Sequence, residues 1–446
     1  MKNRKLPFER KPGSFRGELR LSNSSVVEVW DQSRISVSRH QVRKIGKRAI
    51  SLTKGLLVKF GQRLPIIVAE DGYIISGVEF YLAAKELSLP TLNVIQLRNL
   101  SDDERRILSL ALDRLPELSE WDDVLLAKEL RELTSLNVGF DVLDHLGFTV
   151  GEADARISIV EKDDEPDSLD VLPEVPHTPV TRRDDTWLLG TSRLICGDAL
   201  EIGTYTALMI SNIAAAVFTD PPFNVKISGN VSGLGKVKHG DFAMASGELS
   251  RSEFTMFLKT VMQNLCVYLI DGGLIYTFMD RRKLTELENA ARELELSLVD
   301  LCFWDKGTGG MGSFYRSQHE PVYVFKFGRA PHNNYIQLGR FGRYRTNVWK
   351  FPGLSSFGRG RLDALSMHPT VKPVALCAEA IKDCTRRGDI VLDPFAGSGS
   401  TIIAAIKSGR IGYGNRVGPQ VEITGDKFAA LVDTTTKKDR TAGLAK

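Results

Sequence analysis

Paired cysteines are missing from this sequence. Its five, Cys196, Cys266, Cys302, Cys377 and Cys384, are odd in number and show no C-x-x-C spacing. That argues against a disulfide scaffold and a zinc site, and makes a reduced, cytosolic (cytoplasmic) chain the expectation. Long hydrophobic runs are also missing: none approaches the roughly 20 residues that cross a bilayer. The N-terminal stretch carries charge without the apolar core of a signal peptide, so no membrane partner is expected. Nor is there a large excess of one charge, since 59 Lys and Arg face 55 Asp and Glu for a formal net charge of +4. The total therefore says little, and the distribution says more.

What is present suffices for two or three domains: 446 residues, 42% of them hydrophobic. Residues 1–35 read as a basic flexible tail, its first twenty positions holding seven Lys or Arg against two Glu. A solvated tail and an arm lying on nucleic acid are the two readings. Residues 36–100 read as a small α+β unit. Its parts are a helix over Ile45–Phe60, strands at Pro65–Ala69 and Tyr73–Ser76 around an Asp71-Gly72 turn, a helix over Glu79–Leu87, and a strand at Thr91–Gln96. Residues 101–156 read as a helical extension, opened by Ser101 as an N-cap before an acidic first turn. Residues 157–185 read as an acidic, proline-containing linker. Residues 186–432 form the main domain, with 433–446 as a tail.

Two short stretches organise that main domain: Asp220-Pro221-Pro222-Phe223 and Asp393-Pro394-Phe395-Ala396-Gly397-Ser398-Gly399. Each follows an apolar run that reads as a buried parallel strand. Both therefore sit beyond strand carboxyl ends, where open α/β sheets bind ligands. The second, with a helix starting at Ser400, reads as a nucleoside-binding turn. It is not a phosphate loop, because no Gly-Lys-Ser/Thr follows, nor the dinucleotide fingerprint, because the third glycine spacing is missing. In the first, two prolines fix the backbone and lack amide hydrogens. The Asp220 carboxylate, the Pro221 carbonyl and the Phe223 ring then suit an exocyclic amino group on a planar base.

These residues resemble the amino-methyltransferases of DNA, whose motifs are Asp-Pro-Pro-aromatic and Phe-x-Gly-x-Gly. The motif order here resembles the permuted, beta order. Further matching pieces are Cys196-Gly197-Asp198-Ala199, Gly272-Gly273-Leu274-Ile275-Tyr276 and His368-Pro369-Thr370-Val371-Lys372-Pro373. The resemblance implies an α/β fold with a Rossmann-like, S-adenosylmethionine-dependent methyltransferase sheet. It implies Asp220, Pro221, Pro222 and Phe223 as catalytic residues. For S-adenosylmethionine it implies Asp198, Thr370, Lys372, Asp393, Phe395, Ala396, Gly397, Ser398, Gly399 and Thr401, with Thr370 and Lys372 at the cofactor carboxylate. Asp rather than Ser at the first catalytic position favours adenine N6 over cytosine N4 as acceptor. Residues 36–100 resemble the ParB-like, sulfiredoxin-type domain, and the helices after them resemble the helical segment next to that domain in modification methylases. Where that domain carries His and Arg after its glycine, Val78, Glu79 and Phe80 stand here, which argues against nuclease or nucleotide-hydrolysing activity.

Residues 306–361 hold ten Lys or Arg and one acid, Glu320, interleaved with aromatics that include Phe314, Tyr315, Tyr335, Phe341, Tyr344, Trp349 and Phe357. Their place matches the target-recognition region of the resembled family. Double-stranded DNA is the expected partner, with Arg316, Arg340, Arg343 and Arg345 as candidate contacts. A homodimer is left open as the assembly. One departure stands out: the acid expected after Gly412-Tyr413-Gly414 to hold the cofactor ribose is replaced by Asn415-Arg416. A degenerate, methylase-like DNA-binding protein is therefore the competing reading.

Overall fold

The computed structural model describes residues 26–136, 142–161, 181–225, 245, 247–307, 309, 314–336, 338, 344–352, 372–416 and 438–439. Its contacts divide into two units: residues 1–121 with 144–147, and residues 122–143 with 148–446.

The first unit is built on a four-stranded sheet of order β1-β4-β2-β3, from β1 (Val27–Asp31), β2 (Ile66–Ala69), β3 (Ile74–Ser76) and β4 (Thr91–Leu97). Helices α1 (Lys47–Phe60) and α2 (Val78–Glu86) help to enclose a core of Trp30, Leu57, Ile66, Val68, Ala83, Leu92 and Val94. The Asp71-Gly72 turn needs its glycine, since φ is +83° and a Cβ would strike the Arg34 carbonyl. β1 lies inside the stretch read as tail. Its Trp30 is buried, and β1 pairs antiparallel with β4, so the basic residues ahead of it obscured a short alternating strand. Helix α3 (Asp102–Arg114), capped by a Ser101–Glu104 capping box, also belongs here. The helical extension is thus divided between the units.

The second unit contains a ten-stranded sheet of order β11-β9-β10-β8-β7-β12-β13-β6-β5-β14. The strands are β5 (Thr186–Leu189), β6 (Ser192–Cys196), β7 (Ala214–Thr219), β8 (Leu269–Phe278), β9 (Ser297–Asp305), β10 (His319–Lys326), β11 (Val348–Lys350), β12 (Ile390–Asp393), β13 (Ile411–Arg416) and β14 (Lys438–Asp439). β8, β7, β12, β13 and β6 are successively parallel, and β10 runs antiparallel between β8 and β9. Alternation along the strands feeds two cores. Val217, Ile275 and Leu392 face helices α7 (Ile202–Met209), α8 (Arg251–Val267) and α9 (Leu284–Glu293). Ala216, Phe218, Tyr276 and Val391 face α10 (Val374–Cys384) and part of α11 (Ser400–Lys407).

From β7 the chain moves outward to β8, and from β12 it moves the opposite way to β13. The crevice between β7 and β12 is therefore the topological switch point, where open α/β sheets take their ligands. The predicted β5–β6 hairpin is present. β10 was not foreseen, because its residues were counted into the basic stretch at 306–361. Pro321 to Phe325 are buried there, and Trp349 is a core residue.

Helices α4 (Asp123–Ser135) and α6 (Val150–Glu161) also belong to this unit, joined through Leu130, Val150, Ala153 and Ile157. The short α5 (Val142–Leu146) lies between them in sequence. The acidic run that suggested a linker begins inside α6. Asp154, 2% exposed, accepts from Arg410 at 2.8 and 3.1 Å and from Arg387 at 3.1 Å.

Candidate active site

β7 ends in a buried Thr219, and Asp220 is the first residue beyond it. Thr219 donates its hydroxyl to Asp393 Oδ1 at 2.9 Å, so the two motifs are joined directly across the switch point. Asp393 Oδ1 also accepts from the Phe395 amide at 3.0 Å. Burial pushes the Asp393 carboxyl up to about 6 against the pull of these donors and Thr401.

The Asp220 carboxylate is held on one side only. Its Oδ2 lies 2.8 Å from Lys372 Nζ. Its Oδ1 is buried and has no hydrogen-bond partner among the described residues. Lys372 Nζ also donates to Glu320 Oε1 at 2.8 Å, and Lys306 Nζ lies 2.7 Å from Glu320 Oε2. Four alternating charges thus run inward from Lys306, with Lys372 over the Phe278 ring at 4.6 Å and near Trp304 at 5.9 Å. Burial raises the Asp220 carboxyl to about 6, Lys372 pulls it down and Glu320 pushes it up. The Glu320 carboxyl is buried too, yet the two lysines hold it down at about 2. Phe223 is half-buried, its ring 5.8 Å from Lys372 Nζ.

Across the crevice, Gly397 (φ +49°) and Gly399 (φ +82°) turn the chain into α11, where Gly399 is the N-cap residue. The Ala396 amide donates to the Asn415 carbonyl, and Asn415 Oδ1 accepts from the Gly197 amide at 3.0 Å. The buried Asn415 Nδ2 has no partner among the described residues. Arg416, in the Asn415-Arg416 pair that follows Gly414 where an acid was expected, donates to the Gly397 carbonyl, and burial lowers its guanidinium to about 10. Asp198 Oδ1 accepts from the Leu200 amide at 2.9 Å, holding the turn after β6.

The candidate residues divide accordingly. Asp220 to Phe223 and Asp393 to Gly399 flank one crevice, with Asp198 on the turn after β6, one strand beyond β13. Ser398 shares a hydroxyl hydrogen bond with Ser400 at 3.0 Å, and Thr401 contacts the Phe218 carbonyl at 3.4 Å. Lys372 reaches the Asp220 carboxylate, whereas the resemblance implied a place for it at the cofactor carboxylate. Arg345 is turned inward, donating to Asp383 Oδ2 at 3.0 and 2.8 Å with 15% of its side chain exposed, an arrangement ill suited to DNA contact. Arg316 is exposed beside Phe314 and Tyr315, which are 86% and 79% exposed. Thr370, Arg340 and Arg343 lie outside the described residues. Sequence reasoning missed Glu320, although its being the one acid in a basic stretch was a signal; Lys306 and Thr219 carried none.

Comparison with known proteins bears on this crevice. Residues 214–420 match the family model described as DNA methylase (N6/N4), and residues 124–183 match the ParB-methyltransferase HTH domain. Over residues 214–420 the chain is thus similar to the N6/N4 DNA methylases. The chain is 27% identical over 236 residues to the Type II methyltransferase M.HpaI of Haemophilus parainfluenzae, covering 50% of this chain and 69% of that protein. It is 50% identical over 64 residues to the DNA adenine methyltransferase YhdJ of Escherichia coli (strain K12), covering 14% and 20% of the two chains. A crystal structure of an M1.HpyAVI–SAM complex resembles it with a TM-score of 0.37 at 19% identity, covering 53% of this chain and 97% of that one. The second family match falls on α4–α6, so the helices that pack with the methylase sheet are the helix-turn-helix segment.

Proposed function

We propose that the methylase transfers a methyl group from S-adenosylmethionine to the exocyclic N6 of a flipped adenine in double-stranded DNA. The observation that carries this reading is Asp220 Oδ1, a buried acceptor with no partner among the described residues, in a site where the Phe223 ring lies 5.8 Å from the Lys372 Nζ that holds the other oxygen. A buried oxygen left unpaired is costly, so a site that keeps one reserves it for a donor brought by the ligand. An amino group is such a donor.

The opposite wall fits the nucleoside of S-adenosylmethionine. The glycine turn leads into α11 without a side-chain cap at Gly399, and the unpaired Asn415 Nδ2 supplies a donor near Gly197. When bound, the cofactor supplies an electrophilic methyl group on a positively charged sulfur. The chain's own residues do the rest. Stacking on Phe223 returns about 1–3 kcal/mol toward the few kcal/mol that unstacking the base costs. Asp220 Oδ1 and the Pro221 carbonyl accept the two amino hydrogens and favour a tetrahedral nitrogen. Its lone pair, otherwise delocalised into the ring, is then free to form the N–C bond. The pair of the broken C–S bond stays on sulfur, and the surplus N–H proton is lost to solvent. Position and fixed charge supply most of the acceleration.

Asp rather than Ser at position 220 supports adenine over cytosine N4, as does the likeness to a protein named as an adenine methyltransferase. Exposed Phe314, Tyr315 and Arg316 are suited to the duplex. Arg416, in place of a ribose-holding acid, favours the second reading, a DNA-binding protein that has lost transfer. Incubation with labelled S-adenosylmethionine and unmethylated DNA, followed by modification-sensitive sequencing, separates them. N6-methyladenine in a fixed short sequence supports the proposal. N4-methylcytosine, or DNA binding without transfer, overturns it.

A further inference from the structure

The four charges around Asp220 do more than fill a core. A carboxylate has two oxygens, and here they are treated differently: Oδ2 takes Lys372 at 2.8 Å while Oδ1 takes nothing among the described residues. Lys372 is itself pinned from behind by Glu320 and from below by the Phe278 face, with only 7% of its side chain exposed. Glu320 in turn is pinned by Lys306. Replacing one buried member leaves an uncompensated charge, so the arrangement is sharply defined.

We infer that Lys372 is a positioning residue for methyl transfer, clamping Asp220 through Oδ2 so that its free oxygen is aimed, ionised, at the amino group of the acceptor base. The inference rests on the reading of Asp220 as the catalytic carboxylate and assigns Lys372 to the acceptor rather than the cofactor. The clamp draws on separate elements. Asp220 follows β7, Lys372 precedes α10, Glu320 is on β10, and Lys306 follows β9. Asp393 on β12 and Cys377 on α10 also lie close enough to feel the charge on Asp220. Because Lys306 opens the basic 306–361 stretch, the clamp also joins the acceptor site to the segment expected to meet DNA.

The clamp gives two variants with opposite signatures. Lys372→Met removes the cation that keeps Asp220 ionised, so the acid limb of the kcat profile moves to higher pH. Glu320→Gln removes the neighbouring anion while keeping Lys372, so the limb moves to lower pH. At pH 7.5 Lys372→Met is expected to lower kcat about 100-fold, the usual scale for losing one fixed electrostatic contact. Its dissociation constant for S-adenosylmethionine, measured by equilibrium dialysis without DNA, is expected to stay within about twofold, and Lys372→Arg to restore part of kcat. Thermal melting establishes that each variant is folded. If Lys372→Met does not fold, the Glu320→Gln limb decides alone: a downward move supports the clamp, and an unmoved or raised limb overturns it. A cofactor affinity that falls in step with kcat in Lys372→Met also overturns it. Absence of transfer by the unaltered protein removes the reading of Asp220 itself, which is a different result from transfer with unmoved limbs.

Discussion

Thr219 and Asp393 join the two halves of the crevice, the hydroxyl at the end of β7 donating at 2.9 Å to the carboxylate at the end of β12. The bond bridges the strands at the switch point and fixes the turn after β7 against the glycine turn after β12. A one-strand error in either motif would separate them, so the proposed site depends on the pairing of β7 with β12.

Asp393 stores a pH-dependent strain. Burial raises its carboxyl from 3.8 to about 6, so the folded state binds the proton more tightly than the unfolded chain. For a carboxyl shifted upward, stability is lost as pH rises through that window. Asp393→Asn keeps an acceptor oxygen for Thr219 and Phe395 but has no charge to bury. Its stability relative to the unaltered protein should therefore improve by about 1–2 kcal/mol between pH 5 and pH 7.5. Urea unfolding at both values checks this; a pH-independent difference would contradict it.

Asp220 titrates in the same range, with an effect on rate. Only the carboxylate can accept both the clamp and an amino hydrogen, so kcat should rise with pH through about 6 and level above it. Asp220→Ala should abolish transfer and leave S-adenosylmethionine binding intact. Stopped-quench transfer assays from pH 5 to pH 8, with a binding titration of the variant, test both statements.

The methylase sheet was largely legible because its signals are local. The apolar runs before Asp220 and Asp393 announce buried strands, and the structure has strands there, β7 and β12. The charge clamp was less legible, because Lys306, Glu320 and Lys372 lie far apart in sequence and meet only through β9, β10 and the approach to α10. Lys372 was noticed for its motif and given a different partner. Arg345 and Trp349 looked like DNA-facing residues in a basic, aromatic stretch, yet each is turned inward, Arg345 against Asp383 and Trp349 in the core. Composition cannot distinguish a basic surface from an arginine that closes an internal pair.

Phe223 should matter through its ring. Phe223→Ala removes the stacking face, a loss of about 1–3 kcal/mol or roughly 5- to 150-fold in kcat/KM for DNA. Phe223→Tyr should retain most of it. Equal kcat/KM for the alanine variant would mean that the base stacks elsewhere.

Arg416 lies in the Asn415-Arg416 pair where the resemblance expected an acid, and it donates to the Gly397 carbonyl. An acid there could accept ribose hydroxyls, and hydrogen bonds to a charged group contribute about 1.5–3 kcal/mol. Arg416→Glu should therefore tighten S-adenosylmethionine binding about tenfold or more in a calorimetric titration. Unchanged or weaker binding would show that the nucleoside is held without this position.

The helix-turn-helix segment is fastened to the methylase sheet by Asp154. Burial alone would raise this carboxyl, but Arg410 and Arg387 more than offset it and hold it below its ordinary value. The pair therefore stabilises above about pH 4 and is lost as pH falls further. Arg410 is fully buried, and its guanidinium also donates to the Thr385 and Ser408 carbonyls at 2.6 Å. Those carbonyls satisfy hydrogens but not charge, so Asp154→Ala should cost about 3 kcal/mol, at the lower end for breaking a buried pair. The loss should be local as well as global, because Ala153 and Ile157 on α6 pack with Leu130 of α4 in one small core. Limited proteolysis at neutral pH should then cut within residues 123–161 before the methylase sheet. Simultaneous cleavage throughout the second unit would mean that α4 and α6 are integral to the sheet's folding rather than fastened to it by this pair.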